Sequence, residues 1–471
     1  MDRIRMRIEG MTLARAADEI RNGSLSPVEL VQTFLQQIAK RNPAINAFIT
    51  VAEKEAQRDA TEAEKVIGSG KYLGPLHGIP IAIKDIFETA GLRTTGGSKI
   101  LANYVPTTDA AVVRKLREQG AVIIGKTNLH EWAVGATNMN PHFGATRNPW
   151  DLNRVPGGSS GGSAAALAAG MCLGALGTDT GGSIRIPASS CGVVGLKPTR
   201  GLVSLTGVMP FSWSMDHAGP MALTVQDCAI LLDAISGYDR EDPESVPRPT
   251  AENYQDSIHN PVDELRIAVP KEYFFESVPE EIAHAVHDAV KILEKSGARV
   301  SEVSYPDVEE DDRDGSLIRL AEGATIHYHD LVERKTEIGS DVVERLERGS
   351  RVSVREYVLA RRMQAEKVRL RARFFEEFDL LVTPTLPIEP PTIQGTDSAQ
   401  VAGQLTKFTS PFNLAGLPAI SIPCGFSRNG LPIGLQLVAG HWKESNLLSA
   451  AHFNEQATNW KDKRPSLFVD N

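Results

Sequence analysis

A serine that follows two glycines, a second serine in a glycine-rich loop and a lysine ending an apolar run are the side chains whose type and setting could do chemistry here. Ser183 lies in GTDTGGSIRIPASS, residues 177–190, where two glycines let the backbone bend sharply just before it. Taken alone, such a stretch is more often a glycine turn than a nucleophile. If Ser183 attacks a carbonyl, the N–H groups of Thr180, Gly181, Gly182 and Ser183 can converge on one oxygen, because glycine lets adjacent amides point the same way. A serine hydroxyl is a poor nucleophile until something removes its proton. Lys84, at the end of the run IPIAIK, is a candidate base: burial disfavours the ammonium and leaves an amine that accepts a proton, whereas the plainer reading is a strand-end lysine reaching solvent. Ser159 and Ser160 sit in PGGSSGGSAAA, residues 156–166, a flexible loop entering an alanine-rich helix, whose plainer readings are a tight turn or a phosphate cradle.

Other chemistries fit less well. A nucleotide-binding loop of the common kind places Lys and then Ser or Thr after its glycines, and neither that nor GxGxxG is present. Ser183 has no GxSxG setting, and His130, His142 and His217 read as packed or surface histidines rather than as its base.

These residues must be held by elements that alternate between helix and strand. SPVELVQTFLQQIAKRN carries a capping-box pattern, Ser26 with Glu29, ahead of apolar residues at helical spacing. HGIPIAIKDIF reads as a strand ending at Lys84 and Asp85, TTDAAVVRKLREQG as a helix and AVIIGKTN as the next strand, which is the logic of a parallel or mixed sheet covered by helices. Ala164 to Leu176 is too short to span a bilayer and reads as a buried helix. A proline-bearing link from Pro243 to Pro261 precedes a smaller lobe or insertion at about 263–380, in which Ser353 and Glu356 cap a long Arg-rich helix. FNLAGLPAISIPCGF and LPIGLQLVAG read as late strands of the central sheet.

Composition bounds the rest. The chain has 471 residues, 41% hydrophobic and 23% charged, and its net charge of −9 argues against a nucleic-acid surface, which needs a dense positive field. Cys172, Cys191, Cys228 and Cys424 are scattered, with no metal-ligand spacing, and read as buried thiols in a reducing compartment. No signal-peptide pattern is evident, so the expected location is the cytoplasm, with no membrane association.

Together, a strand-end lysine after Gly-Ile-Pro, the GGSSGGS loop and TDTGGSIRIPAS, in this order and at these separations, resemble the amidase signature family of serine hydrolases. The resemblance runs along nearly the whole chain and is densest from Gly78 to Pro220. It implies one α/β domain over 1–471, a large mixed central β-sheet sandwiched between α-helices, with neither metal nor organic cofactor. By the same resemblance Ser183 is the nucleophile, Ser159 a bridging serine joined to Gly158 by a cis peptide bond, Lys84 the base, and the amides of Thr180 to Ser183 the oxyanion hole. Asp179 and Arg185 are expected to tie the nucleophile loop, Ser160 and Ser163 to orient Lys84 and Ser159, and Thr137, Asn138, Phe211 and Trp213 to line an apolar acyl pocket favouring hydrophobic amides over glutamine. The implied activity is hydrolysis of a small-molecule carboxylic amide to acid and ammonia or amine, through an acyl-enzyme. The alternative is the A subunit of a glutamyl-tRNA amidotransferase, which makes ammonia from glutamine and needs a tRNA-holding partner. This chain reads EGATIHYHDLVERK where such subunits carry Tyr-Asp-Gly-x-Arg-Tyr-Gly. Self-association as a homodimer is left open.

Overall fold

Eleven strands form one mixed sheet, in the order β1-β3-β2-β4-β6-β5-β10-β11-β9-β7-β8. The computed structural model describes residues 10–248 and 252–466; the basic residues at the N-terminus and residues 249–251 of the proline-bearing link lie outside them. The strands are β1 Phe48–Val51, β2 Pro80–Lys84, β3 Val122–Thr127, β4 Gly174–Thr178, β5 Val194–Lys197, β6 Ala218–Ala222, β7 Arg266–Pro270, β8 Arg299–Val303, β9 Leu380–Pro384, β10 Ala419–Phe426 and β11 Pro432–Ala439. Helices sandwich this sheet, as the sequence predicts.

Strands β2, β3 and β4 are buried along their whole length, which explains why they read as continuous apolar runs instead of alternating ones. β2 pairs in parallel with both β3 and β4, with Ile83 opposite Leu176. That register carries Lys84 and Thr178 out at the same end of neighbouring strands, the end at which open α/β sheets place their ligands. β10 and β11 pair antiparallel in the middle of the sheet, and β7 and β8 extend the same sheet beyond β9.

The helices that matter for the site are α1 Pro27–Ile45, α2 Ala111–Glu118, α3 Gly161–Ala168, α4 Arg185–Cys191, α5 Val308–Ile326, α6 Ser340–Ser350, α7 Val354–Glu377 and α8 Ser398–Thr406. The full capping box forms at α7, where Ser353 and Glu356 bond reciprocally. At α1 only half of it forms: Ser26 Oγ accepts from the Glu29 amide and donates its hydroxyl to Glu64, while no return bond from the Ser26 N–H to the Glu29 carboxylate is present among the described residues. The segment read as one buried helix, 164–176, divides. α3 stops at Ala168, Gly170 turns the chain in the left-handed region at φ 63°, and β4 begins at Gly174. Helix α5 packs on α6 and α7. All four cysteines are free and buried. Among the described residues no helix is long and apolar enough to cross a membrane.

Candidate active site

Lys84 ends β2 with its side chain fully buried. Its Nζ donates to Ser159 Oγ at 2.7 Å and to Thr178 Oγ1 at 2.6 Å. Burial lowers its pKa to about 7, against the smaller upward pull of Asp216 and Asp179, so an appreciable share of the amine is neutral near pH 7. The lysine therefore does not reach solvent.

Ser159 is presented by the loop between Pro156 and α3, whose Gly158–Ser159 peptide is cis. The glycines here are required by close packing: a Cβ on Gly158 would lie 2.9 Å from the Asn138 backbone nitrogen, and one on Gly161 would lie 2.8 Å from Asn138 Cβ. Asn138, at φ 63°, accepts the Gly161 N–H on Oδ1 and donates Nδ2 to Thr146. Thr137 Oγ1 lies 2.9 Å from Ser398 Oγ. Both residues, expected in the acyl pocket, are fully buried and neither lines the cavity at Ser183; Asn138 holds the loop through Gly161. Ser160 and Ser163 also hold something other than expected. Ser160 Oγ donates to the Thr178 carbonyl and accepts its N–H, while Ser163 Oγ donates to the Leu176 carbonyl. They clamp the loop to β4, and the second partner of Lys84 is Thr178.

The loop after β4 is organised around Asp179. Its carboxylate receives the amides of Gly182 and Ile184 at 2.7 and 3.1 Å, Arg185 Nη2 at 2.9 Å and Asn413 Nδ2 at 2.8 Å. Burial alone would raise this carboxyl; the Arg185 guanidinium, with Lys197 and Asn413, overrides it and holds it well below the usual range. Arg185 continues to Gln436 and Asn413, fixing the start of α4. Because Gly182, at φ 128°, gives its N–H to Asp179, that amide is not free for a substrate oxygen. Among the described residues nothing accepts from the N–H groups of Thr180, Gly181 or Ser183. Thr180 Oγ1 donates to Asp216, whose pKa burial raises to about 6 against hydrogen bonds from Thr180, Ser212 and Phe211.

Histidines take no part. His130 is buried against Asp341 at 2.9 Å, His142 meets Glu131 at 3.1 Å, and His217 is enclosed with Nδ1 on backbone carbonyls, its burial holding it neutral. Among the described residues no three His, Cys, Asp or Glu side chains could hold a metal ion.

Ser183 borders a cavity of about 100 Å³ that also touches Thr180, Gly181 and Phe211. Its far wall departs from the expected apolar pocket: Arg319 from α5 and Arg345 and Arg348 from α6 face the same space. Trp213 is 44% exposed and lies in a neighbouring groove with Val354 and Tyr357. Between them, buried Glu322 accepts from Ser212 Oγ, Ser214 N–H, Tyr357 and Arg361, fastening the 211–214 turn to α5 and α7. Thr178, Asp216 and the three arginines were not singled out from sequence. Thr178 could have been, as the strand end beside Lys84; the arginines are separated from Ser183 by more than a hundred residues of chain.

The arrangement thus couples a buried, partly neutral amine to a serine hydroxyl, beside a loop that lines the cavity at Ser183 and has three amides without an acceptor among the described residues. An amidase family model matches residues 29–448. The chain is 40% identical to the A subunit of glutamyl-tRNA(Gln) amidotransferase from Marinomonas sp. (strain MWYL1), over 97% of this chain and 98% of that one. It superposes on 6-aminohexanoate cyclic dimer hydrolase with a TM-score of 0.89 at 33% identity, covering 98% of this chain and 99% of that chain. For the A subunit of the Thermotoga maritima glutamyl-tRNA(Gln) amidotransferase the TM-score is 0.83 at 35% identity, over 98% and 99%.

Proposed function

Since the chain belongs to the amidase family, we propose that it cleaves a carboxylic amide through an acyl-enzyme on Ser183, with Ser159 and Lys84 as its proton relay. Neutral Lys84 takes the Ser159 proton, Ser159 takes that of Ser183, and Ser183 Oγ adds to the amide carbon. The carbonyl oxygen gains negative charge and is met by the N–H groups of Thr180, Gly181 and Ser183. The proton returns through Ser159 to the nitrogen, the C–N bond breaks and the amine or ammonia leaves. Water then adds to the ester by the same relay, releasing acid and Ser183. The observation that carries this reading is the 2.7 Å contact of Lys84 Nζ with Ser159 Oγ in a fully buried setting, because there a lysine can act as a base near neutral pH.

A second reading, the ammonia-producing component of a glutamyl-tRNA amidotransferase, is favoured by 40% identity to such proteins along the whole chain. It uses the same acyl-enzyme chemistry on glutamine and differs in needing a partner. Ammonia release from a panel of primary amides and glutamine, by the chain alone and with a tRNA-binding partner protein, tests both. Turnover of a simple amide by the chain alone, lost in Ser183→Ala, supports the hydrolase. Glutaminase activity appearing only with the partner decides for the transferase role.

A further inference from the structure

The cavity at Ser183 is lined by three guanidiniums and no carboxylate. Arg319 lies against the loop itself, since a Cβ on Gly181 would be 3.4 Å from its Nη1. Among the described residues its hydrogen bond goes to Ser410 Oγ, a neutral partner, at 2.6 Å. Arg345 spends Nη2 on the Ser398 carbonyl, and its buried Nε has no partner. Asp341, one turn earlier on α6, is engaged by His130. Arg348 is exposed and, among the described residues, makes no ion pair. Burial lowers Arg319 and lowers Arg345 to about 10; Asp312 and Asp341 oppose the shift from outside the cavity, and in each case a neighbouring guanidinium adds to it. Three like charges around one small space repel each other, and an anion in that space would relieve the repulsion.

We infer that the acyl group of the substrate carries a carboxylate, held by Arg319, Arg345 and Arg348 while its amide carbon meets Ser183. This rests on the amidase reading above and narrows its substrate class to small anionic amides, such as the monoamide of a short dicarboxylic acid. The cavity volume of about 100 Å³ leaves room for only a short acyl chain. With no carboxylate in the lining, an α-ammonium group would sit among guanidiniums, so the site selects against an amino-acid amide such as glutamine. Positions 319, 345 and 348 come from two helices that pack on each other, so the spacing of the charges is fixed by the fold.

Calorimetric titration of the Ser183→Ala protein, which cannot turn over its ligand, tests this without requiring catalysis. The probes are succinamate, its neutral counterpart butyramide, and L-glutamine. Succinamate is expected to bind at least tenfold more tightly than either. Arg348→Met in the same background is expected to lower the ratio of succinamate to butyramide affinity at least fivefold, and Arg345→Met to do the same if it remains folded. Succinamate binding that is no tighter than butyramide, or a ratio unchanged in Arg348→Met, overturns the inference. Tighter binding of glutamine than of succinamate overturns it equally. None of these results bears on Ser183, whose role is read separately by covalent labelling.

Discussion

Lys84 Nζ and Ser159 Oγ are 2.7 Å apart, in a contact fully removed from solvent, although 75 residues of chain separate them. The parallel register of β2 with β4 and the packing of Gly158 on Asn138 make the contact: one sets the lysine at the sheet end, the other fixes the loop above it.

In the proposed relay the protonation of Lys84 sets the pH profile. A base must be neutral, and the neutral amine predominates above its pKa of about 7, so kcat/KM should rise with pH through that region and level off above it. Lys84→Met should lose roughly 100-fold or more in kcat/KM and lose this limb. A variant that keeps the limb would show that another group titrates.

Thr178 accepts the second hydrogen bond of Lys84. Thr178→Val removes an acceptor that favours the ammonium, so the acid limb should move to lower pH. Loss of the fixed amine position should lower kcat by roughly 10- to 100-fold. Steady-state kinetics across pH check both, and an unmoved limb would contradict the role.

Arg185→Met should destabilise the protein by roughly 3–5 kcal/mol, because it strands the buried Asp179 carboxylate. Asp179 is held below the usual carboxyl range, so its contribution is present in full above a pH of about 4 and is lost as pH falls further. Urea denaturation at pH 7 measures the loss; a change below roughly 1 kcal/mol would mean the ion pair does not organise the loop.

The sequence was most informative where function and local geometry share residues. Glycines on both sides of Ser159 and before Ser183, and an apolar run into Lys84, are visible in one dimension because each acts within a few residues of its neighbour. That β2 and β3 belong to a parallel or mixed sheet was also readable, from a strand, a helix and a second strand in succession, whereas β4 was hidden inside the apolar run read as a helix. What the sequence hid is long-range. One exception is local: Gly182 turns its amide to Asp179, three residues back, leaving three free N–H groups instead of four, and two adjacent glycines do not say which amide is spent this way. The arginine wall needs α5 and α6 to fold across the Ser183 loop, and in a region dense with arginines nothing marks positions 319, 345 and 348 beforehand. Trp213 shows the converse: an aromatic near the nucleophile in sequence faces a separate groove, because Glu322 pins the turn that carries it.

The measurement closest to the central claim is reaction of the whole protein with a fluorophosphonate probe, followed by mass mapping of the adduct. A single adduct on Ser183 is predicted, absent from Ser183→Ala and formed far more slowly in Lys84→Met. An adduct on another serine, or labelling unchanged by Ser183→Ala, would contradict it.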